Sequence, residues 1–228
     1  AAAAGVVFVP LLAGDANATP YVTGVGERRS FELADGSSAE LNADSVLRVT
    51  MSARVRRAHL TRGEALFEVS RDDARPFVVR TAFGELRAPG ASFLVKLGTQ
   101  SARVTVFNGS VEATPKDDPS PPQALSANQE IVLGALSAEV TTIATEAVTR
   151  RLAWRSGMLA FDGDTLADAT LEIERQTGVR FQFAAPSIAQ LRIGGYISAT
   201  DVDAFVELVE TNLNVRAERR EGVVVFGS

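Results

Sequence analysis

The chain contains no cysteine. That single absence removes disulfide frameworks, thiolate zinc sites, cysteine nucleophiles and cysteine-ligated iron–sulfur clusters. Histidine occurs once, at His59, so a multi-histidine metal centre cannot be assembled within it. There is no basic excess: 23 Lys+Arg stand against 28 Asp+Glu, a formal net charge of -5. That balance argues against nucleic-acid binding as the main task. Lysine is almost missing, with Lys96 and Lys116 alone among many arginines, which reflects genome composition more than chemistry. Also missing is an apolar run of the ~20 residues that a spanning helix needs. The nearest is Ala1–Gly14, AAAAGVVFVPLLAG, which is short and carries Pro10.

Three readings of that run stay open. It is the outer end of a membrane helix that starts upstream, a leader core with Ala16-Asn17-Ala18 as an A-x-A-like cleavage site, or an apolar remnant of cloning. Either biological reading places everything after about Asp15 outside the cytoplasm.

What is present is, first, a series of short alternating runs from Tyr21 to about Ile143. Val104 and Val106 alternate with Arg103 and Thr105, and no segment holds a 3.6-residue period. Asp35-Gly36, Arg62-Gly63, Gly98-Thr99 and Asn108-Gly109 punctuate the runs. Asn-Gly between two β-type runs predicts a two-residue hairpin. Pro115–Pro122 reads as a lengthened, polar hairpin loop. Many short strands at this spacing predict an all-β sandwich, barrel or solenoid.

After about Thr145 the period changes. Glu146–Arg155 is expected to be a connecting helix, and Met158–Phe161 a strand. Thr165–Thr177 reads as a helix opened by Thr165 and Asp168 and stopped by Gly178. A second helix, Asp201–Leu213, follows at a constant offset of 36 residues. Thr165 falls on Asp201, Ile173 on Val209, and Gly178 on Asn214, the two residues best suited to a left-handed helix stop. This is a duplicated strand–helix–strand unit, so the fold class is mainly β plus α+β. The expected organisation is a membrane-helix end or leader with linker over 1–20, an all-β domain over 21–145, the connecting helix over 146–157, and the duplicated βαβ domain over 158–228.

An ordered set of motifs carries a resemblance. Gly26-Glu27-Arg28, Leu33-Ala34-Asp35-Gly36, Leu41-Asn42, Arg62-Gly63-Glu64-Ala65, Phe67-Glu68-Val69 and Arg75-Pro76-Phe77-Val78-Val79 are followed by Val106-Phe107-Asn108-Gly109-Ser110-Val111-Glu112 and Ala153-Trp154-Arg155-Ser156-Gly157. Together they resemble the periplasmic domain of FecR-family sigma-factor regulators. The duplicated unit looks like the secretin/TonB short domain that such regulators often carry at their C-terminus.

The resemblance implies a periplasmic sensing region of a single-pass inner-membrane anti-sigma protein, held by an N-terminal helix. Its implied partners are the signalling domain of an outer-membrane TonB-dependent receptor for iron–siderophore, periplasmic proteases, and a cytoplasmic sigma factor reached through a region not in this chain. No cofactor, metal, nucleic acid or enzyme activity is implied. Some family members self-cleave at a Gly-Thr bond before a Phe by an N-to-O acyl shift. Here the matching stretch is Gly90-Ala91-Ser92-Phe93, and Ala91 has no hydroxyl, so self-cleavage is not expected.

The residues themselves offer little catalytic chemistry. His59 sits on the polar side of an alternating run with no serine or cysteine motif beside it, which reads as an ordinary surface histidine. Gly24-x-Gly26 opens a strand, so phosphate-cradle logic fails. For a partner, the terminal run Val223, Val224, Val225, Phe226 lacks a guarding proline or inward charge. With Arg219 and Arg220 nearby to meet acids, it is expected to accept a strand from the receptor domain if its second edge is open. An alternative function is an extracytoplasmic glycan-binding or accessory β module. That would want exposed aromatics to stack on sugars. The chain has 7% aromatics, mostly Phe at core-type positions, which favours the regulator.

Overall fold

The structure, a computed structural model, describes residues 18–116, 121–134, 138–220 and 222–227. The apolar run Ala1–Gly14, the cleavage reading at Ala16-Asn17, the middle of the proline-rich loop and Glu221 lie outside the described residues. No described helix is long and apolar enough to cross a membrane.

The first part is built from β1 (Thr19–Val22), β2 (Arg29–Glu32), β3 (Ser38–Leu41), β4 (Val46–Met51), β5 (Arg56–Arg62), β6 (Glu64–Glu68), β7 (Phe77–Thr81), β8 (Gly84–Ala88) and β9 (Ala91–Leu97). It continues with β10 (Ala102–Pro115), β11 (Gln123–Ser126), β12 (Gln129–Leu133) and β13 (Thr141–Thr142). One flank runs β1-β4-β5-β7-β8 to the C-terminal half of β10 and β11; the other runs β2-β3-β6-β9 to the N-terminal half of β10, β12 and β13. The flanks face each other across one core. Phe67 on β6 lies 5.8 Å from Phe77 on β7, ring centre to ring centre, and both are fully buried. At the seam between β1 and β2, Tyr21 meets the edge of Phe31 at 4.8 Å.

β10 overturns one expectation. Asn108-Gly109 is not a hairpin turn. The strand passes through it unbroken for 14 residues, with a bulge between Val106 and Asn108 against β9. Gly109 has φ +78 there. A hairpin turn and a bulge both ask for a left-handed residue, so the dipeptide alone cannot tell them apart. The bulge bends β10, which lets one strand serve both flanks. Strands β4 and β8, which the alternation did not single out, complete the first flank.

The second part begins with α1 (Thr145–Arg151) and a 3-10 turn, Ala153–Ser156, closed by Gly157 in the left-handed region. The expected single helix Glu146–Arg155 is therefore broken at Leu152. Then come β14 (Met158–Thr165), α2 (Leu166–Thr177), β15 (Arg180–Phe183), the one-turn α3 (Pro186–Ala189), β16 (Arg192–Ser198), α4 (Val202–Leu213), β17 (Arg216–Arg220) and β18 (Val223–Gly227). β14 pairs with β16, while β15, β18 and β17 form a three-stranded sheet in that order. α2 and α4 each pack on strands of both sheets. Their core is a Phe cluster of Phe161, Phe181, Phe183, Phe205 and Phe226. Leu66 on β6 and Leu94 on β9 belong to this same core, so the second part covers the outer face of the β2-β3-β6-β9 flank. The fold is mainly β with an α+β part, as the alternation and the repeat indicate.

Candidate partner-binding site

The 36-residue repeat is visible in the caps. Thr165 accepts the Asp168 amide at the start of α2, and Asp201 accepts the Ala204 amide at the start of α4. Gly178 and Asn214 close the two helices in the left-handed region. These caps fix where each helix points and what its ends present.

The start of α4 lies beside a groove of about 620 Å³. Asp201, Val202 and Asp203 form one wall, and Arg219, Gly222, Val223 and Val224 the other. Arg219 lies directly across from Val224, which is 3% exposed and faces the helices. Arg219 therefore points to the helix side, where its guanidinium pairs with Asp203 across the groove. Arg220, one residue on, points to the opposite face. It pairs with Glu218 and sits in a row with Val223 and Arg180. The two arginines thus do not form one patch.

The terminal strand is not an edge. β18 is the centre of its sheet, with β15 parallel on one side and β17 antiparallel on the other. Val224 and Phe226 are core, and Val223 and Val225 are half-buried on the far face. The condition for strand addition at Val223–Phe226, an open second side, is not met, because the repeat's first unit supplies β15 to that side. What remains of the expected surface is the groove that Arg219 and Val224 line.

Gly90 and Ala91 lie at the start of β9, beside a second hollow of about 530 Å³ lined also by Ser38, Ser70, Arg71, Asn108 and Gly109. Ala91 is buried, its carbonyl accepts the Val69 amide, and it sits across from Gly109 at the bulge. Ser92 is a strand residue paired with Glu68 and Asn108. Among the described residues no cluster of His, Asp or Glu could hold a metal ion.

Sequence reasoning missed the polar joint between the two parts. Outward positions of β6, β9, β10 and β12 carry Glu64, Lys96, Arg103 and Glu130, and the second part packs over all four, leaving Glu64 and Glu130 buried and Lys96 and Arg103 partly so. Lys96 Nζ lies 3.3 Å from Glu172 on α2, whose other oxygen takes Arg175 at 2.8 Å. Arg175 also donates to the Leu97 carbonyl at 2.8 Å. Arg103 pairs with Asp164 at 3.0 Å, and Arg151 with Glu130 at 2.8 Å. Gln176 donates to Asn42, which donates to Glu64 at 2.7 Å.

Burial, and then the Glu172 charge, push the Glu64 carboxyl up to about 7. Burial also opposes the charge on Glu172, yet Lys96 and Arg175 outweigh it and hold that carboxyl below its usual range. Asp164 is held low in the same way by Lys96 and Arg103. Trp154 is buried here with Leu66 and Leu94; its carbonyl accepts Arg28. A usable signal existed in the sequence: Lys96, one of two lysines, sits mid-strand in a run that is otherwise apolar.

Comparison with known proteins follows this geometry closely. Residues 19–112 match the protein family described as FecR protein. Two crystal structures of a candidate anti-sigma factor from Parabacteroides distasonis ATCC 8503 share the fold. One, at 1.65 Å, has a TM-score of 0.79 and 25% identity over 91% of this chain and 98% of that one. The other, at 2.50 Å, has a TM-score of 0.80 and 25% identity over 92% and 99%. No curated protein matches. The likeness runs through both parts and not only through the β sandwich. Over residues 19–112 this chain is similar to the FecR protein family, and its fold is shared with those two structures through both parts.

Proposed function

We propose that this chain is the periplasmic sensing region of a single-pass inner-membrane anti-sigma regulator. It binds the signalling domain of an outer-membrane TonB-dependent receptor and relays iron–siderophore availability to a cytoplasmic sigma factor through regulated proteolysis. The observation that carries the reading is the FecR match over residues 19–112 together with a likeness to a candidate anti-sigma factor that spans 98% of that structure. The two-helix layer between a two-stranded and a three-stranded sheet supports reading residues 158–228 as a secretin/TonB-type short domain.

The groove between α4 and β17-β18 is the proposed receptor contact. It joins an apolar floor, Val179, Val202 and Val224, to a charged rim, Asp201, Asp203 and Arg219. The test is calorimetric titration of the chain with the signalling domains of TonB-dependent receptors from the same organism. A sigma-dependent reporter is read in the same strain with the inducer added. Saturable binding of one domain per chain is expected. No binding, with the reporter indifferent to deletion of the chain, overturns the reading.

A further inference from the structure

The joint between the two parts holds a small cavity of about 20 Å³, lined in part by Glu64, Lys96, Arg103, Arg151, Trp154 and Glu172. A water molecule needs about 10–15 Å³ of such space and two to four polar partners. The cavity has room for one.

Two buried donors carried by its lining residues have no hydrogen-bond partner on the protein, Trp154 Nε1 and Arg103 Nε. Trp154 is only 4% exposed, so its indole N–H is cut off from bulk solvent. Arg103 Nε has a Glu130 oxygen at 3.5 Å, which is an ion-pair distance beyond the ordinary hydrogen-bond range. Buried N–H groups without an acceptor are rare. Two of them on the lining of one polar cavity point to a bound water.

Glu64 is the carboxyl that the surrounding cations leave out. On β9, Lys96 pairs with Glu172 of α2, and so does Arg175 of α2 itself. Arg103 on β10 pairs with Asp164 on β14, and Arg151 on α1 with Glu130 on β12. Arg150 on α1 pairs with Asp162. Among the described residues no cation forms an ion pair with Glu64, which is 2% exposed and accepts from the Asn42 side chain. A carboxyl that is buried without a paired cation favours its protonated form.

We propose that this cavity binds one water, which accepts from Trp154 and Arg103 and donates to the Glu64 and Glu172 carboxyls, and that closure of the joint is linked to uptake of one solvent proton by Glu64. The closed joint holds that proton more tightly than an open, solvated Glu64 would, since its carboxyl is pushed up to about 7. Closure is therefore favoured toward Glu64's ordinary range and loses this support as pH rises through about 7. Glu172 and Asp164 are held low and stay charged across that window.

The test uses the whole chain with its indole labelled with nitrogen-15. Trp154 is the only tryptophan, so one N–H signal reports on the cavity. That signal is expected to show a cross-relaxation contact with a long-lived water. It should also shift with pH in one step near 7, and the step should vanish in Glu64→Gln. A signal with no water contact overturns the proposal, and so does a step that survives Glu64→Gln. Bromide soaked into crystals separates water from an anion: anomalous density in the cavity would overturn the water.

Joint closure has its own readout. The Gly26 amide donates to the Arg175 carbonyl across the joint at 3.0 Å. Its hydrogen-exchange protection factor should fall about tenfold between pH 5.5 and 7.5 and stay level in Glu64→Gln. A wild-type protection factor that is constant over that range, or one that falls equally in Glu64→Gln, overturns the link to the proton.

Discussion

Glu174 and Glu210 do the same work 36 residues apart. Glu174, near the end of α2, accepts the Phe181 amide of β15 at 2.8 Å. Glu210, near the end of α4, accepts the Ala217 amide of β17 at 2.9 Å. Both amides belong to the two edge strands of the three-stranded sheet. An unpaired edge amide is an invitation to another strand, and here each helix closes the first one with a carboxylate. The repeat therefore duplicates an edge-blocking device along with its helix caps.

Removing either carboxylate should open one edge locally. Glu174→Gln keeps an acceptor, while Glu174→Ala leaves the Phe181 amide to solvent. Hydrogen exchange at Phe181 should accelerate in Glu174→Ala with Ala217 unchanged, and the reverse in Glu210→Ala. A hydrogen bond to a charged group contributes about 1.5–3 kcal/mol, so the exchange rate should rise at least tenfold. Unchanged rates at both amides would show that the carboxylates do not close the edges.

The polar joint should make stability depend on pH. Glu64 has a folded pKa of about 7 against an ordinary 4.5, so the folded state holds its proton more tightly. The stability this gives is complete below the unfolded pKa and is lost as pH rises through about 7. Glu172 and Asp164 are held low, so their contribution is present above their ordinary range and is lost as pH falls below it. The urea midpoint should therefore rise from pH 8 to pH 5.5 and fall again in stronger acid. Glu64→Gln should flatten the first limb, worth on the order of a few kcal/mol, and leave the second. A wild-type midpoint that does not change between pH 8 and 5.5 would contradict this.

Lys96 and Glu172 should be strongly coupled. Glu172 is buried and Lys96 largely so, and breaking a buried pair from one side costs up to about 3–5 kcal/mol because the other charge stays behind. Glu172→Leu leaves Lys96 with only the more distant charges of Glu64 and Asp164. Lys96→Met removes the cation that best offsets Glu172. The double replacement should cost far less than the two single costs together. Additive losses in a double-mutant cycle would mean the two groups act independently.

What the sequence disclosed was local. Caps at Thr165 and Asp201, and left-handed stops at Gly178 and Asn214, are decided within a few residues. So the duplicated unit was legible, and with it the fold class. Asn108-Gly109 was misread because φ > 0 serves a turn and a bulge alike; what decides is whether β10 finds partners on both flanks, and that is tertiary. The rank of β18 within its sheet is tertiary too, since β15 reaches it in parallel across α4. The joint escaped because Glu64, Lys96, Arg103 and Glu130 look like the solvent face of alternating strands until another layer lands on them.

The bulge gives its own check. A Cβ on Gly109 would stand 2.5 Å from the Gly90 carbonyl oxygen, at φ +78. Gly109→Ala should cost at least about 2 kcal/mol, combining backbone strain with the displacement of β9. In a two-residue hairpin at the surface the same change would cost less, so thermal unfolding of this one variant separates the two geometries.

The receptor contact needs a variant that spares the fold. Proline at Val224, the natural choice against an edge strand, is unsuitable here. Val224 is core in a strand bonded on both sides, so proline there would disrupt the whole α+β part. Arg219→Glu is cleaner. Its partner Asp203 and its own side chain are both well exposed, so the pair adds at most about 1 kcal/mol to stability. The reversal places a third acid on the groove rim beside Asp201 and Asp203. Arg220→Glu makes the same charge change on the opposite face of the sheet and serves as the control. If the groove receives the receptor's signalling domain, Arg219→Glu should weaken binding at least tenfold while Arg220→Glu leaves it within about twofold, with both variants melting near the wild type. Equal effects would mean that only net charge is read. An effect of Arg220→Glu alone would move the contact to the outer face of β15-β18-β17, where Val223, Val225 and Arg180 lie.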